Sequence, residues 1–159
     1  MEAAATAPDV RQSLALLAAL RSDRPLGTLP ASLEVQEVIY ALACKFYEGG
    51  KYPQAMRSFS FLMTANVADA RYFMGFAACL HMQRKYAEAL KFYGAASLFD
   101  LTDPYPAMHS AECHLALGDN AQARSAIDYA LCQARAHQDE QLRECIPRLE
   151  AMLSFLENA

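Results

Sequence analysis

The sequence predicts an all-α solenoid of three helix-turn-helix repeats, with one helix before the repeats and a capping helix after them. Three observations lead to this fold class. Similar blocks recur along the chain, apolar residues recur at the 3.6-residue period of an α-helix, and residues that begin or end helices separate the segments. A fixed repeat period is typical of proteins that stack one supersecondary unit on the next.

Two small residues mark every block. When the blocks are aligned, six alanines coincide at two positions: Ala43, Ala77 and Ala111, each 34 residues after the last, then Ala55, Ala89 and Ala123. An alanine lets two helices cross closely, because a larger side chain would push the backbones apart. Phe59, Tyr93 and Ile127 come four residues after the second alanine, where they can fill the space beyond the crossing. This period and pattern match the tetratricopeptide repeat (TPR) signature.

The turn between the helices of each repeat also recurs. Gly50 and Gly118 stand where a helix ends and the chain reverses, a place that favours a residue able to adopt positive φ. Arg84 occupies the equivalent position of the second block. The repeats are predicted to span about residues 36–69, 70–103 and 104–137.

Residues that cap or open helices agree with these bounds. They are Ser32, Asp69, Asp103 with Pro104, and Asn120. The first repeat helix is predicted from Leu33 to Glu48, and the last from Asn120 to about Ala136.

The segments at the two ends are each predicted to contain a helix. In residues 1–32, an amphipathic helix over 9–22 precedes a Pro/Gly-bearing linker over 23–31. In residues 138–159, a helix over 139–157 aligns five apolar residues and is expected to cap the open end of the stack. Those residues are Leu142, Ile146, Leu149, Leu153 and Leu156. Pro147 predicts either a kink or a helix start at that point.

The first helix of each TPR repeat usually lines the concave face, so the family geometry predicts a peptide-binding groove. The candidate groove residues are Tyr40, Cys44, Tyr47, Arg71, Met74, Ala78, His81, Tyr105, Met108 and Leu115. Methionine adapts to varied shapes, and tyrosine offers both a ring and a hydroxyl, which suits a peptide with apolar anchors. The alternative is that these residues only pack helices or are covered by a neighbouring chain. Tyr40 and Cys44 replace the Lys and Asn of the carboxylate clamp found in some TPR co-chaperones, which excludes that clamp here.

Composition excludes several classes of function. The net charge is −4 and no Lys/Arg cluster occurs, so no nucleic-acid partner is expected. No apolar run approaches the roughly 18 residues needed to span a bilayer, so no membrane partner is expected either. The N-terminal residues lack the features of a signal peptide. The 5 cysteines form no Cys-x-x-Cys pair, which fits a reducing cytoplasm.

No catalytic residue, metal site or cofactor is predicted. His109 and Cys113 could share a metal ion from one helix, but four converging ligands are not apparent. Cys44 and His81 could meet across neighbouring helices, yet nothing in the sequence orients the imidazole or supplies an oxyanion site. The protein is therefore not expected to be an enzyme.

Three stretches are similar to the class II chaperones of bacterial type III secretion. They are RYFMGFAAC, the junction DLTDPYP and HSAECHLALGD, within a likeness that covers about residues 33–136. The resemblance implies a cytoplasmic chaperone that keeps translocator proteins soluble and apart before secretion. It also implies that an extended client segment of the type Pro-x-Leu-x-x-Pro binds in the groove. Cys44 departs from the aromatic residue common at its position.

The resemblance implies two further partners. The N-terminal helix often mediates homodimerisation in this family, which would use the apolar stripe of Val10, Leu14 and Leu17. The alternative is that this stripe packs on the chain's own repeats. Some family members also act with a transcription activator. The competing functional hypothesis is a general TPR adaptor that scaffolds a folded partner or a regulator.

Overall fold

The computed structural model describes residues 32–158, and within them every regular element is an α-helix. In chain order the helices are α1 (Leu33–Glu48), α2 (Tyr52–Ala65), α3 (Ala70–Met82), α4 (Tyr86–Phe99), α5 (Tyr105–Ala116), α6 (Asn120–Ala136), α7 (Glu140–Arg143) and α8 (Ile146–Glu157). The all-α class and the three helix pairs α1–α2, α3–α4 and α5–α6 are confirmed. The predicted helix over 9–22, the linker over 23–31 and the stripe of Val10, Leu14 and Leu17 lie outside the described residues.

The chain divides into two compact units between Val67 and Ala68. The first unit holds α1 and α2, and the second holds α3 to α8. Among residues 32–158, no helix is both long enough and apolar enough to cross a membrane.

The paired alanines lie where the two helices of each repeat meet. In the first unit Ala43 and Ala55 have no exposed surface, and Phe59 is also buried. The alanines of the other two repeats, Ala77, Ala89, Ala111 and Ala123, are also fully buried. Small side chains at these positions let the helix backbones approach, as the repeat pattern predicted.

The three interhelical turns share one hydrogen-bonding pattern. In the first turn, the Gly50 amide donates to the Tyr47 carbonyl (2.9 Å) and the Lys51 amide donates to the Phe46 carbonyl (2.8 Å). Equivalent pairs of bonds close the turns after α3 and α5. This pair of bonds defines a Schellman motif. The motif needs positive φ at the residue that follows the C-cap of the helix. The φ angles are 70° at Gly50, 60° at Arg84 and 77° at Gly118.

Replacing Arg84 by glycine is expected to stabilise the protein by about 0.5–1 kcal/mol. A residue with a Cβ at positive φ is strained by about 1–2 kcal/mol, and the greater freedom of glycine in the unfolded chain offsets part of the gain. Urea denaturation measures the change. Lys91→Gly is the control, because Lys91 is exposed in the interior of α4, where glycine should destabilise the helix by about 0.5–1 kcal/mol. An Arg84→Gly variant no more stable than the wild type would contradict this account.

Aspartate carboxylates accept backbone hydrogen bonds at the start of four of the described helices, α3, α5, α6 and α7, the last through Asp139 and the Gln141 amide (3.0 Å). Asp69 accepts a hydrogen bond from the Arg71 amide (3.0 Å), and Asp119 accepts one from the Gln122 amide (3.1 Å). Asp103 accepts from the Tyr105 amide (2.9 Å), with Pro104 between them, as predicted. Ser32 is the N-cap residue of α1, as predicted, but its side chain makes no capping hydrogen bond. Its carbonyl accepts from the Gln36 amide (3.0 Å).

The C-terminal helix packs on the third repeat. α8 begins at Ile146 with Pro147 in its first turn, so the proline starts this helix rather than kinking one that spans 139–157. Leu149 of α8 has no exposed surface and joins the core formed by α5 and α6. Three further members of the predicted apolar stripe pack against the same core: Ile146, Leu153 and Leu156. This packing covers the α5–α6 repeat, which is the role predicted for a cap.

Candidate functional site

The candidate groove residues of the first unit lie on one face of α1. Tyr40, Cys44 and Tyr47 are spaced by four and three residues, which aligns them on an α-helix. All three side chains are half-buried. The Tyr40 ring meets the Phe59 ring edge-on with centroids 6.1 Å apart, and the Tyr47 ring is 5.8 Å from the Tyr52 ring. This face therefore presents aromatic surface whose side chains are held by rings of α2.

The candidates on α3 form a second face, in the second unit. Met74 and Ala78 are half-buried, and His81 follows them near the end of the helix. Arg71 begins the row and is exposed, and its guanidinium pairs with the Asp69 carboxylate (Nη2 to Oδ2, 2.7 Å). The hydrogen bonds and charge of Arg71 hold the pKa of Asp69 below its usual value. The face is apolar in its middle and carries an oriented cation at one end.

The candidates on α5 have unequal exposure. Leu115 is half-buried, and the Tyr105 hydroxyl donates to the Gln141 carbonyl (3.0 Å). Burial raises the pKa of the Tyr105 phenol, with smaller contributions from nearby thiol and carboxylate groups. Met108 is only 3 % exposed and belongs to the core that α5 forms with α6 and α8. A ligand can therefore reach Leu115 and Tyr105 more readily than Met108.

A polar cluster joins α3, α4, α5 and α8 in the second unit, and we call it the His81 cluster. It consists of His81, Tyr93, His109, Glu112 and Arg148. His81 Nδ1 lies 3.3 Å from the Tyr93 hydroxyl, and His109 Nδ1 lies 2.9 Å from Glu112 Oε2. The Arg148 guanidinium pairs with Glu112 Oε1 at 2.5 Å. The Tyr93 ring stacks on the His109 imidazole with centroids 5.4 Å apart.

Burial and charge oppose each other in this cluster. Burial lowers the pKa of His81, and the negative charge of Glu112 opposes that shift. Burial alone would raise the pKa of Glu112, but the hydrogen bond from His109 and the nearby positive charges outweigh it. The pKa of Glu112 consequently lies below its usual value. Glu112 is thus kept as a carboxylate even though it is largely buried.

The structure gives His109 and Cys113 different surroundings. Cys113 is fully buried, and burial raises the pKa of its thiol to about 12. Its sulfur lies 3.7 Å from His81 Nδ1. His109 instead groups with His81 and Glu112, and one ligand atom from each of the three lies within 4.8 Å of the others. Spacing along the sequence did not reveal this set, because His81 comes from a different repeat.

The fold and the repeat pattern define a TPR protein, and the comparison with known families agrees. A tetratricopeptide-repeat family profile matches residues 37–65 and 72–100. These ranges correspond to most of α1–α2 and α3–α4.

Three similar proteins indicate which kind of TPR protein this chain is. The low calcium response locus protein H of Yersinia pestis is 30 % identical over 125 residues, which cover 79 % of this chain and 73 % of that protein. PcrH, from Pseudomonas aeruginosa, was solved with the chaperone-binding region of PopD. It is 35 % identical with a TM-score of 0.76 over 80 % of this chain and 94 % of PcrH.

SycD of Yersinia enterocolitica was solved with a peptide of the translocator YopD. It is 29 % identical with a TM-score of 0.74 over 79 % of this chain and 95 % of that one. Another SycD structure is described as an alternative dimer. The chain belongs to this family, the class II TPR chaperones of type III secretion translocators.

Proposed function

We propose that this protein is a chaperone that binds type III secretion translocator proteins and keeps them soluble and apart in the bacterial cytoplasm before secretion. The observation that carries the proposal is the match to PcrH, whose structure holds the chaperone-binding region of PopD. SycD, which has a similar fold, was likewise solved with a peptide of a translocator, YopD. These relatives favour the chaperone over the general adaptor hypothesis.

The faces of α1 and α3 supply the chemistry that such a client needs. A translocator is a membrane-active protein, so its apolar segments would aggregate if they stayed exposed to water. Each apolar side chain that the chaperone buries contributes on the order of 1.5–3 kcal/mol before the cost of ordering the peptide. Half-buried aromatic and methionine side chains, already held by their neighbours, lose little freedom on binding. Holding a client in this way requires no nucleotide and no covalent step.

Each unit carries its own proposed client contacts. On α1 they are Tyr40, Cys44 and Tyr47, and in the second unit they are Arg71, Met74, Ala78, His81, Tyr105 and Leu115. Met108 is left out of this set because its side chain is buried in the core of the second unit. An extended Pro-x-Leu-x-x-Pro segment suits these faces, because prolines and leucine offer apolar anchors at short spacing.

A homodimer and a transcription activator are proposed as further partners. The alternative dimer of SycD supports self-association of this family's fold. Val10, Leu14 and Leu17 remain the proposed dimerisation stripe. Sedimentation of the full chain against a variant with all three residues changed to serine tests that role, and an unchanged monomer–dimer balance would contradict it.

Co-expression with candidate translocators tests the chaperone function. The translocator is expected to stay in the soluble fraction and to copurify only when this chain is present. Limited proteolysis of the complex should then protect one short Pro- and Leu-containing segment of the client. An insoluble translocator beside a folded, helical chaperone would contradict the proposal for that client pair and favour the adaptor hypothesis.

A further inference from the structure

We propose that His81, His109 and Glu112 form a binding site for a divalent transition-metal ion, with Zn²⁺ as the ion that fits best. His81 comes from the last turn of α3, while His109 and Glu112 are one turn apart on α5. All three lie in the second unit, so the site is complete within one part of the fold. The inference goes beyond client binding and does not depend on it.

The distances between the three ligand atoms are close to those in a site that holds a zinc ion. One ligand atom from each residue lies within 4.8 Å of the other two, and the His109–Glu112 pair is already at 2.9 Å. Zinc bonds to nitrogen and oxygen of about 2.0–2.2 Å set ligand atoms roughly 3.3–3.5 Å apart in a tetrahedron. The longest separation between two ligand atoms therefore exceeds the zinc-bound spacing by about 1.5 Å at most, which small side-chain rotations can close.

The ligand types select the class of metal. Two imidazoles and one carboxylate are a set that zinc proteins use with the fourth position left to water or another ligand. Imidazole nitrogen favours zinc and its transition-metal neighbours, whereas magnesium and calcium prefer oxygen ligands throughout. Cys113 is not assigned as a ligand, because the ligand atoms that lie within reach of one another come from His81, His109 and Glu112 and do not include its sulfur.

The surroundings orient the three ligands. The Tyr93 hydroxyl lies beside His81 Nδ1, and the Tyr93 ring stacks on the His109 imidazole, so both rings have a fixed neighbour. Arg148 holds Glu112 Oε1, which leaves Oε2 in contact with His109. Such contacts outside the ligand set are common in metal sites and fix the orientation of the ligands. The Arg148 side chain is itself 63 % exposed, so water screens its charge against the incoming ion.

The competing explanation is that the same residues form only a hydrogen-bonded polar cluster. Both explanations use the contacts seen here, but only one of them predicts stoichiometric binding of a metal ion. His114 provides a matched control, because it lies on α5 and is half-buried like His109. Its nearest carboxylate is that of Asp119, 4.0 Å away, and it does not belong to the ligand set.

The test is calorimetric titration of the full chain with Zn²⁺ after treatment with a chelator and desalting. We expect one ion per chain, with the affinity lowered on the order of 100-fold or more in His81→Gln, His109→Gln and Glu112→Gln. The His114→Gln variant should bind as the wild type does. Binding that is absent in the wild type, or equally strong in all four variants, would overturn the proposal.

A second measurement avoids variants that fold poorly. The chain has only 4 histidines, His81, His109, His114 and His137, so their ring signals can be followed by NMR in the wild-type protein. Zn²⁺ is expected to shift the signals of His81 and His109 and to leave those of His114 and His137 in place. The opposite pattern would overturn the site. So would a sulfur-to-cobalt charge-transfer band on Co²⁺ binding that persists in His109→Gln, because it would mark a cysteine site elsewhere.

Discussion

Replacing Tyr47 by alanine together with Met74 by glutamate is expected to lower the affinity for a translocator segment by at least about 100-fold. A factor of 100 corresponds to about 2.7 kcal/mol, which is typical for the loss of a large anchor at an interface. Tyr47→Ala removes a ring from the α1 face. Met74→Glu introduces a carboxylate into the apolar middle of the α3 face, where a client side chain would have to desolvate it. Fluorescence anisotropy with a labelled client peptide measures the change.

The matched control applies the same chemical changes elsewhere. Tyr129 on α6 is 47 % exposed and Met82 at the end of α3 is 53 % exposed, and neither is a proposed client contact. The combination of Tyr129→Ala with Met82→Glu should therefore bind the client as the wild type does. Both double variants should give nearly wild-type melting curves by circular dichroism. Equal affinities for the two double variants would show that the faces of α1 and α3 are not the binding surface.

The repeat architecture could be predicted because each of its features is local. The small residue at a helix crossing, the bulky residue one turn later and the glycine at positive φ depend on spacing within one repeat. Arg84 is an exception to prediction from local residue types. The turn after α3 has a positive φ like the other two turns, although Arg84 stands there in place of glycine. The Schellman hydrogen bonds of that turn stabilise the conformation despite the cost of the side chain.

Exposure within the candidate site could be predicted less well, because it depends on what packs around each helix. Met108 occupies the same repeat position as Tyr40 and Met74, and these two are half-buried. Met108 is buried because α5 belongs to the core that also includes α6 and α8. The capping helix itself was predicted, but the repeat pattern does not show which residues of the third repeat belong to the core that it joins. The His81 cluster escaped prediction for a related reason, since its members come from four helices.

Replacing Leu149 by alanine is expected to lower the free energy of unfolding by about 3 kcal/mol and the melting temperature by about 10 °C. Leu149 is the one residue of α8 with no exposed surface, and it lies in the core shared with Ile127 and Leu131. Truncation removes three side-chain carbons and leaves a cavity that rigid helices fill incompletely. Urea denaturation followed by circular dichroism measures the loss.

Phe155 provides the control for Leu149 because it lies on the same helix and carries a larger side chain. It is 64 % exposed, so Phe155→Ala should change the stability by no more than about 0.5 kcal/mol. A large effect at Leu149 beside a small one at Phe155 would locate the contribution of α8 in its buried face rather than in helix propensity. If both variants unfolded like the wild type, the packing of α8 would contribute little to the free energy of unfolding. The third repeat would then be stable without its cap.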